Sequence, residues 1–173
     1  MSAPAQALVV VDMRCGLLAG PQAVVGAAAL TDRIETLIGR ATAAGALVVQ
    51  LQNDGAPGQP DEPDGPGWEL ALSGGTAVRK STDDGFAGTP LGALLAMRSV
   101  RRIAVCGVLS EMCVSATARS ALARGLGVVL PRDGHSTYDL DDIPAAVVGR
   151  VAEHALGDQP ELVASTTDVV FGH

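Results

Sequence analysis

Short runs that are apolar at almost every position recur along this chain, separated by longer stretches with helical spacing. Ala7 to Val11, Ala46 to Leu51 and Ile103 to Cys106 consist of Ala, Val, Leu, Ile and Cys, with Gln50 as the one polar interruption. A run without polar–apolar alternation is a strand buried on both faces, the signature of a parallel sheet covered by helices. Between the runs, Val24 to Ala44 carries Val25, Leu30, Ile34, Leu37, Ile38 and Ala41 at helical spacing, and Gly45 closes it. Thr89 to Met97 and Asp141 to Leu156 read as helices with Pro90 and Pro144 in their first turns. Glu111 to Arg124 reads as a helix closed by Gly125, and Thr76 to Arg79, Val128 to Leu130 and a last segment near Thr167 to Phe171 as short strands. This alternation predicts an α/β fold, a doubly wound parallel sheet with helices on both faces. No internal repeat or boundary interrupts residues 1–173, which read as a single domain.

Composition narrows the partners. The net charge is −7, from 12 basic and 19 acidic residues, which disfavours nucleic acid and anionic membranes. Phe86, Phe171, Tyr138 and Trp68 are the whole aromatic complement, so no stacking platform for single strands exists. A chain of this size buries about 70% of its unfolded surface and folds without a metal or disulfide. Three cysteines, Cys15, Cys106 and Cys113, make no disulfide framework. The segment MSAPAQALVVVDM lacks a basic stretch, its apolar run stops at Asp12, and no run approaches a membrane span. A cytoplasmic location is the expectation. NDGAPGQPDEPDGPG, from Asn53 to Gly67, sustains neither helix nor strand and reads as a long functional or mobile loop.

In doubly wound sheets, ligands bind beyond the carboxyl ends of the strands, where the strand order reverses. Asp12 ends the first strand, Lys80 follows another, and Leu109 to Cys113 follow the strand ending at Cys106 and Gly107. An acid, a base and a thiol then converge if the first and fourth strands flank the switch point. Cys113 is expected in the first turn of a helix, where the dipole, unpaired amides and a nearby Lys80 lower a thiol pKa. A carboxylate such as Asp12 then serves as general acid–base, and amides near Leu109 and Cys113 cradle an oxyanion. The bland alternative stands beside it: a cysteine in an Ala-rich helix is commonly a small buried hydrophobe, Asp12 a turn residue and Lys80 a solvated charge. Cys106, within a strand, reads as core.

Three segments sharpen this. VVVDMRCGLL, VRKSTDDGFAGTPL and VCGVLSEMCVSATARSALARGLGVVLPRDGHSTYD resemble, in order and spacing, the isochorismatase-like cysteine hydrolases. The strongest piece is Gly107-Val108, a short turn, Cys113-Val114, then Thr117, Arg119 and Ala121. The resemblance implies a three-layer, six-stranded parallel sheet, commonly in a homo-oligomer (dimer or tetramer). It implies an Asp12, Lys80 and Cys113 triad, a cis Val108–Leu109 peptide, and an oxyanion hole from the amides of Leu109 and Cys113. The implied reaction is attack of the thiolate on an amide carbonyl, loss of ammonia or an amine, and hydrolysis of a thioester.

Within that family, nicotinamidases carry Asp and His metal ligands after the second strand. Here LQNDGAPGQP has Asp54 and no His, so no metal or other cofactor is expected. Isochorismatases lack the nucleophilic cysteine, so Cys113 disfavours vinyl-ether or ester chemistry, which remains the alternative together with a catalytically inactive binding member. Asn53-Asp54-Gly55, Gly67-Trp68-Glu69, Ser110 to Cys113 and Gly134 to Thr137 resemble the subgroup that includes streptothricin hydrolase, which opens a lactam. The expected activity is metal-independent cleavage of a C–N bond in a small amide or lactam. Asn53, Trp68, Phe86 and His135 are the expected substrate-binding residues. Arg14 stands where the family often has Gln, and Asn53 where the subgroup often has His; both are expected to line the pocket.

Overall fold

The computed structural model describes residues 3–172. Its strands are β1 (Ala7–Val11), β2 (Leu47–Asn53), β3 (Thr76–Lys80), β4 (Arg102–Val108), β5 (Gly127–Pro131), β6 (His135–Ser136) and β7 (Glu161–Val163). Its helices are α1 (Cys15–Leu18), α2 (Ala27–Ala43), α3 (Leu91–Met97), α4 (Ser115–Ala123) and α5 (Ala145–Ala155). All sheet pairings are parallel, in the order β3-β2-β1-β4-β5-β7, with the two-residue β6 beside the end of β4. The order runs outward in opposite senses from β1 and β4, so the switch point lies between them.

Two apolar layers cover the sheet. Leu30, Ile34, Leu37 and Ile38 of α2 pack with Leu8, Val10 and Val48 on one face. Leu91 and Leu95 of α3 and Ala118 and Ala121 of α4 pack with Val9, Val49 and Val105 on the other. Alternate residues of one strand therefore serve opposite layers, which is why β1 is apolar throughout.

The polar residues of β2 have a separate task. Gln50 Nε2 donates to the carbonyls of Leu72 and Gly74 at 3.0 and 2.7 Å, and Gln52 Nε2 to that of Trp68 at 2.9 Å. Two side chains on one strand face thus tie down residues 54–75, which form no named helix or strand. The same loop closes against α1, where Gly16 N–H donates to Gly67 O at 3.0 Å.

Three expectations differ. The last strand is Glu161–Val163, paired with β5, whereas the expected segment near Phe171 holds a 3₁₀ turn and only a lone bridge from Phe171 to Ala5. The sheet carries the short β6 in addition to the six strands of its main path. Cys113 lies in a π-helical turn, Ser110–Val114, ahead of α4 and not in an α-helical first turn. A wide turn of this kind is a frequent device at functional positions.

Gly107 sits where β4 passes closest to β1. Its φ is +120°, and a Cβ there would lie 2.1 Å from Val11 O. Neither the conformation nor the space admits a side chain. Gly107→Ala is expected to cost at least about 2 kcal/mol, read as a drop in thermal midpoint or loss of soluble protein. A midpoint equal to that of the parent would contradict this packing.

Candidate active site

The register brings three strand ends to one place. Val11 lies opposite Gly107 and Leu51, and Asn53 lies opposite Lys80. Asp12, one residue beyond β1, takes a left-handed conformation with φ +49°, uncommon outside glycine and sustained only by its surroundings. Its carboxylate accepts from Asn53 N–H at 2.9 Å through Oδ1 and from Lys80 Nζ at 2.8 Å through Oδ2. Both side chains are almost completely enclosed, with 3% and 0% exposure. Lys80 Nζ also lies 3.1 Å from Thr82 O, 3.2 Å from Asn53 Oδ1 and 3.3 Å from Cys113 Sγ. One ammonium thus faces four acceptors, a carboxylate oxygen, two neutral oxygens and the sulfur, which share its three hydrogens.

These groups open into a cleft of about 200 Å³ lined by Asp12, Arg14, Asn53, Asp83, Leu109 and Cys113, among others. Larger hollows exist elsewhere, but none of them reaches the sulfur. The acid, the amine and the thiol are the reactive set, so the smaller cleft is the candidate site.

The electrostatics depart from expectation. Burial pushes the Cys113 thiol well above its usual range, the Asp12 carboxylate adds to this, and Lys80 opposes both. Partial burial of the sulfur and the anion beside it together outweigh the neighbouring ammonium. Sγ also lies 3.4 Å from Asp83 Oδ1, to which the thiol can donate. Burial would lower the Lys80 pKa, but Asp12 and Cys113 together hold it above its ordinary value. The Val108–Leu109 peptide is cis, and Leu109 borders the cleft.

The expected binding residues separate. Asn53 lines the cleft, and its Nδ2 donates to Asp61 Oδ2 at 2.5 Å. Trp68 stands behind it: Nε1 lies 3.1 Å from both Asn53 O and Asp54 Oδ1, and Arg79 covers its ring at 5.0 Å. Phe86 is not a cleft residue; it is buried beneath α3 and α4 with Arg124 over its ring at 4.6 Å. His135 is not one either. Its Nδ1 lies 2.8 Å from Ser110 Oγ and its Nε2 3.4 Å from Glu153 Oε1, so it braces the turn that carries Cys113 from the far side. Its hollow, of about 420 Å³, is lined by Ser110, Arg132, Arg150 and Glu153.

Sequence reading passed over Asp83, Asp61, Ser110 and Glu153. The acidic pair after Lys80 was the visible signal for Asp83. Nothing local marks Glu153, which is brought to His135 only by the packing of α5.

Asp54 is the acid in the segment after β2 where nicotinamidases carry metal ligands. Its Oδ1 receives Trp68 Nε1 and its Oδ2 receives Arg79 Nε at 2.7 Å. Among the described residues, no group of three or more His, Cys, Asp or Glu is arranged to hold a metal ion.

The profile of the Isochorismatase domain matches residues 6–157. The chain belongs to the isochorismatase family. Two streptothricin hydrolase sequences of Streptomyces noursei are 53% and 52% identical to it, over 96% and 97% of this chain. The chain spans 64% and 71% of their lengths. An isochorismatase structure from Pseudomonas putida KT2440 superposes with a TM-score of 0.87 at 26% identity, covering 98% of this chain and 94% of that one. A pyrazinamidase of Pyrococcus horikoshii in complex with zinc superposes with a TM-score of 0.79 at 25% identity, over 92% and 99% of the two chains. The fold is thus the family's α/β fold.

The brace behind the turn yields a pH test. Burial pushes the Glu153 carboxyl up, but His135, Arg132 and Arg150 hold it below the usual carboxylate range. A depressed folded pKa contributes stability above the unfolded value, about 4.3, and loses it as pH falls through the folded value. In denaturant unfolding, Glu153→Gln is expected to be less stable than the parent at neutral pH, with the gap shrinking in acid below about pH 4.3. A gap independent of pH would contradict the arrangement.

Proposed function

We propose that this chain is a cysteine hydrolase that cleaves the C–N bond of a small amide or lactam through a thioester on Cys113, without a metal. The observation that carries the reading is Lys80 Nζ, 2.8 Å from Asp12 Oδ2 and 3.3 Å from Cys113 Sγ at the mouth of a cleft. The streptothricin hydrolase relatives favour a C–N bond over a vinyl ether.

Asp12 takes the thiol proton as the sulfur attacks the carbonyl carbon, and Lys80 offsets the negative charge left on the sulfur side. The amides of Leu109 and Cys113 receive the oxyanion. The C–N bond then breaks, and Asp12 gives its proton to the departing nitrogen. Water enters, loses a proton to Asp12 and attacks the thioester. The C–S bond breaks, the acid leaves, and the sulfur recovers its proton from Asp12. The high thiol pKa fits this cycle: the resting proton is moved by Asp12 when a carbonyl arrives, and no standing thiolate is required. In Asp54 both carboxylate oxygens already have partners, which favours the metal-free route.

A homo-oligomer, as dimer or tetramer, accords with exposed apolar side chains at Leu140, Ile143, Val147 and Val151. A cytoplasmic location accords with three free cysteines. No helix among the described residues is long and apolar enough to cross a membrane.

A panel of primary amides and lactams, scored for ammonia or amine release in the presence of EDTA, tests the reading. Turnover is expected to persist in EDTA and to fall by on the order of 10⁴ in Cys113→Ala and in Asp12→Asn. Activity restored only by zinc, or retained by Cys113→Ala, would overturn it.

The two acid–base partners also separate by alkylation. Removing the anion that holds the thiol proton lowers the thiol pKa, so Asp12→Asn is expected to react faster with iodoacetamide at neutral pH while hydrolysing nothing. Lys80→Met is expected to react more slowly than the parent. The opposite order would contradict the charge arrangement.

A further inference from the structure

Arg14 follows Asp12 by two residues and lines the cleft with Leu17, Leu109 and Cys113. Only 7% of its surface is exposed. Its Nε is fully enclosed and has no hydrogen-bond partner among the described residues. A guanidinium cannot shed its charge or its donors, so an enclosed N–H without an acceptor is costly to the free protein. The carboxylates of the same cleft are engaged elsewhere. Asp12 receives Lys80 at 2.8 Å, Asp61 receives Asn53 at 2.5 Å, and Asp83 faces the thiol at 3.4 Å. Arg14 thus brings to the cleft wall beside the nucleophile a guanidinium whose enclosed Nε has no acceptor.

We propose that Arg14 determines specificity: its guanidinium, which lines the cleft, donates to a neutral oxygen acceptor, a carbonyl or hydroxyl, that the substrate carries close to its scissile amide. The inference rests on the hydrolase reading above. Two features select a neutral acceptor. Asp61 and Asp83 line the same cleft and repel an anionic substrate. At about 200 Å³ the cleft is small, so the acceptor and the scissile carbonyl belong to one small fragment. A site built to donate a buried hydrogen bond rejects the analogue that lacks the acceptor, because the donor is then left unpaired.

The test is protection of Cys113 from iodoacetamide at mildly alkaline pH, with alkylation mapped to the Cys113 peptide. The probes are propanamide, lactamide, acetoacetamide and malonamate, and turnover of each is read in parallel. Lactamide and acetoacetamide are expected to protect at concentrations roughly tenfold lower than propanamide. In Arg14→Met and Arg14→Gln that ratio is expected to collapse toward one. Because the ratio compares probes on one enzyme, partial unfolding of a variant does not alter it. A ratio near one in the parent, a ratio unchanged in both variants, or malonamate protecting best would overturn the assignment of Arg14. Equal protection by all neutral amides in every enzyme sinks Arg14 alone, whereas no protection by any amide sinks the reading of the cleft as the active site.

Discussion

An ammonium and a carboxylate, 2.8 Å apart and closed off from solvent, lie at the carboxyl ends of the sheet. Moving each ion out of water costs several kcal/mol even after relaxation, on the order of what a whole domain has to spare. Such a pair persists because several surrounding polar groups are aimed at it. Asn53 N–H, Asn53 Oδ1 and Thr82 O complete the coordination of the two charges. The strand order supplies those groups: β1 carries the acid, its neighbour β2 carries Asn53, and β3 at the edge carries the lysine. Removing either charge leaves the other buried and alone, so the pair ties the ends of three strands into one unit.

The thiol joins this unit from the other side of the switch point. β4 runs beside β1, and the π-helical turn after it returns Cys113 toward Lys80. The glycine at the end of β4 permits the close passage against Val11. Behind the turn, Ser110, His135 and Glu153 form a polar brace anchored by Arg132 and Arg150. The cleft is thereby held between two charged clusters, one facing the chemistry and one fixing the backbone that carries it. In the first, burial and Asp12 push the thiol pKa up while Lys80 opposes them.

Much of this was legible in the sequence because it follows from strand patterning. Ala7 to Val11 fixes a buried strand, and a residue at the end of such a strand in a doubly wound sheet lies near the crevice, which made Asp12 and Lys80 candidates; their role as a triad with Cys113 came from the resemblance to the isochorismatase-like cysteine hydrolases. The position after β4 placed Leu109 to Cys113 as a group beside the same crevice. Phe86 and His135 were misplaced because chain proximity to a site loop says nothing about which side of that loop faces the cleft. Phe86 is drawn into the layer under α3 and α4, and His135 into a brace that exists only once α5 has packed. The thiol pKa was misjudged for a related reason: dipole and cation were visible in sequence, whereas the desolvation and the carboxylate at its side are properties of the folded cleft. The last strand was missed because Glu161 to Val163 is short and half-buried, with no apolar run to mark it.

The central claim is a covalent acyl intermediate on the sulfur that Lys80 and Asp12 attend. Partitioning with added hydroxylamine tests it most directly. Amides that share one acyl group but differ in the departing amine pass through a common thioester, so the ratio of hydroxamate to free acid is predicted to be the same for all of them. A ratio that changes with the leaving amine, or turnover that yields no hydroxamate at all, would mean that water attacks the amide directly and that Cys113 is not the nucleophile.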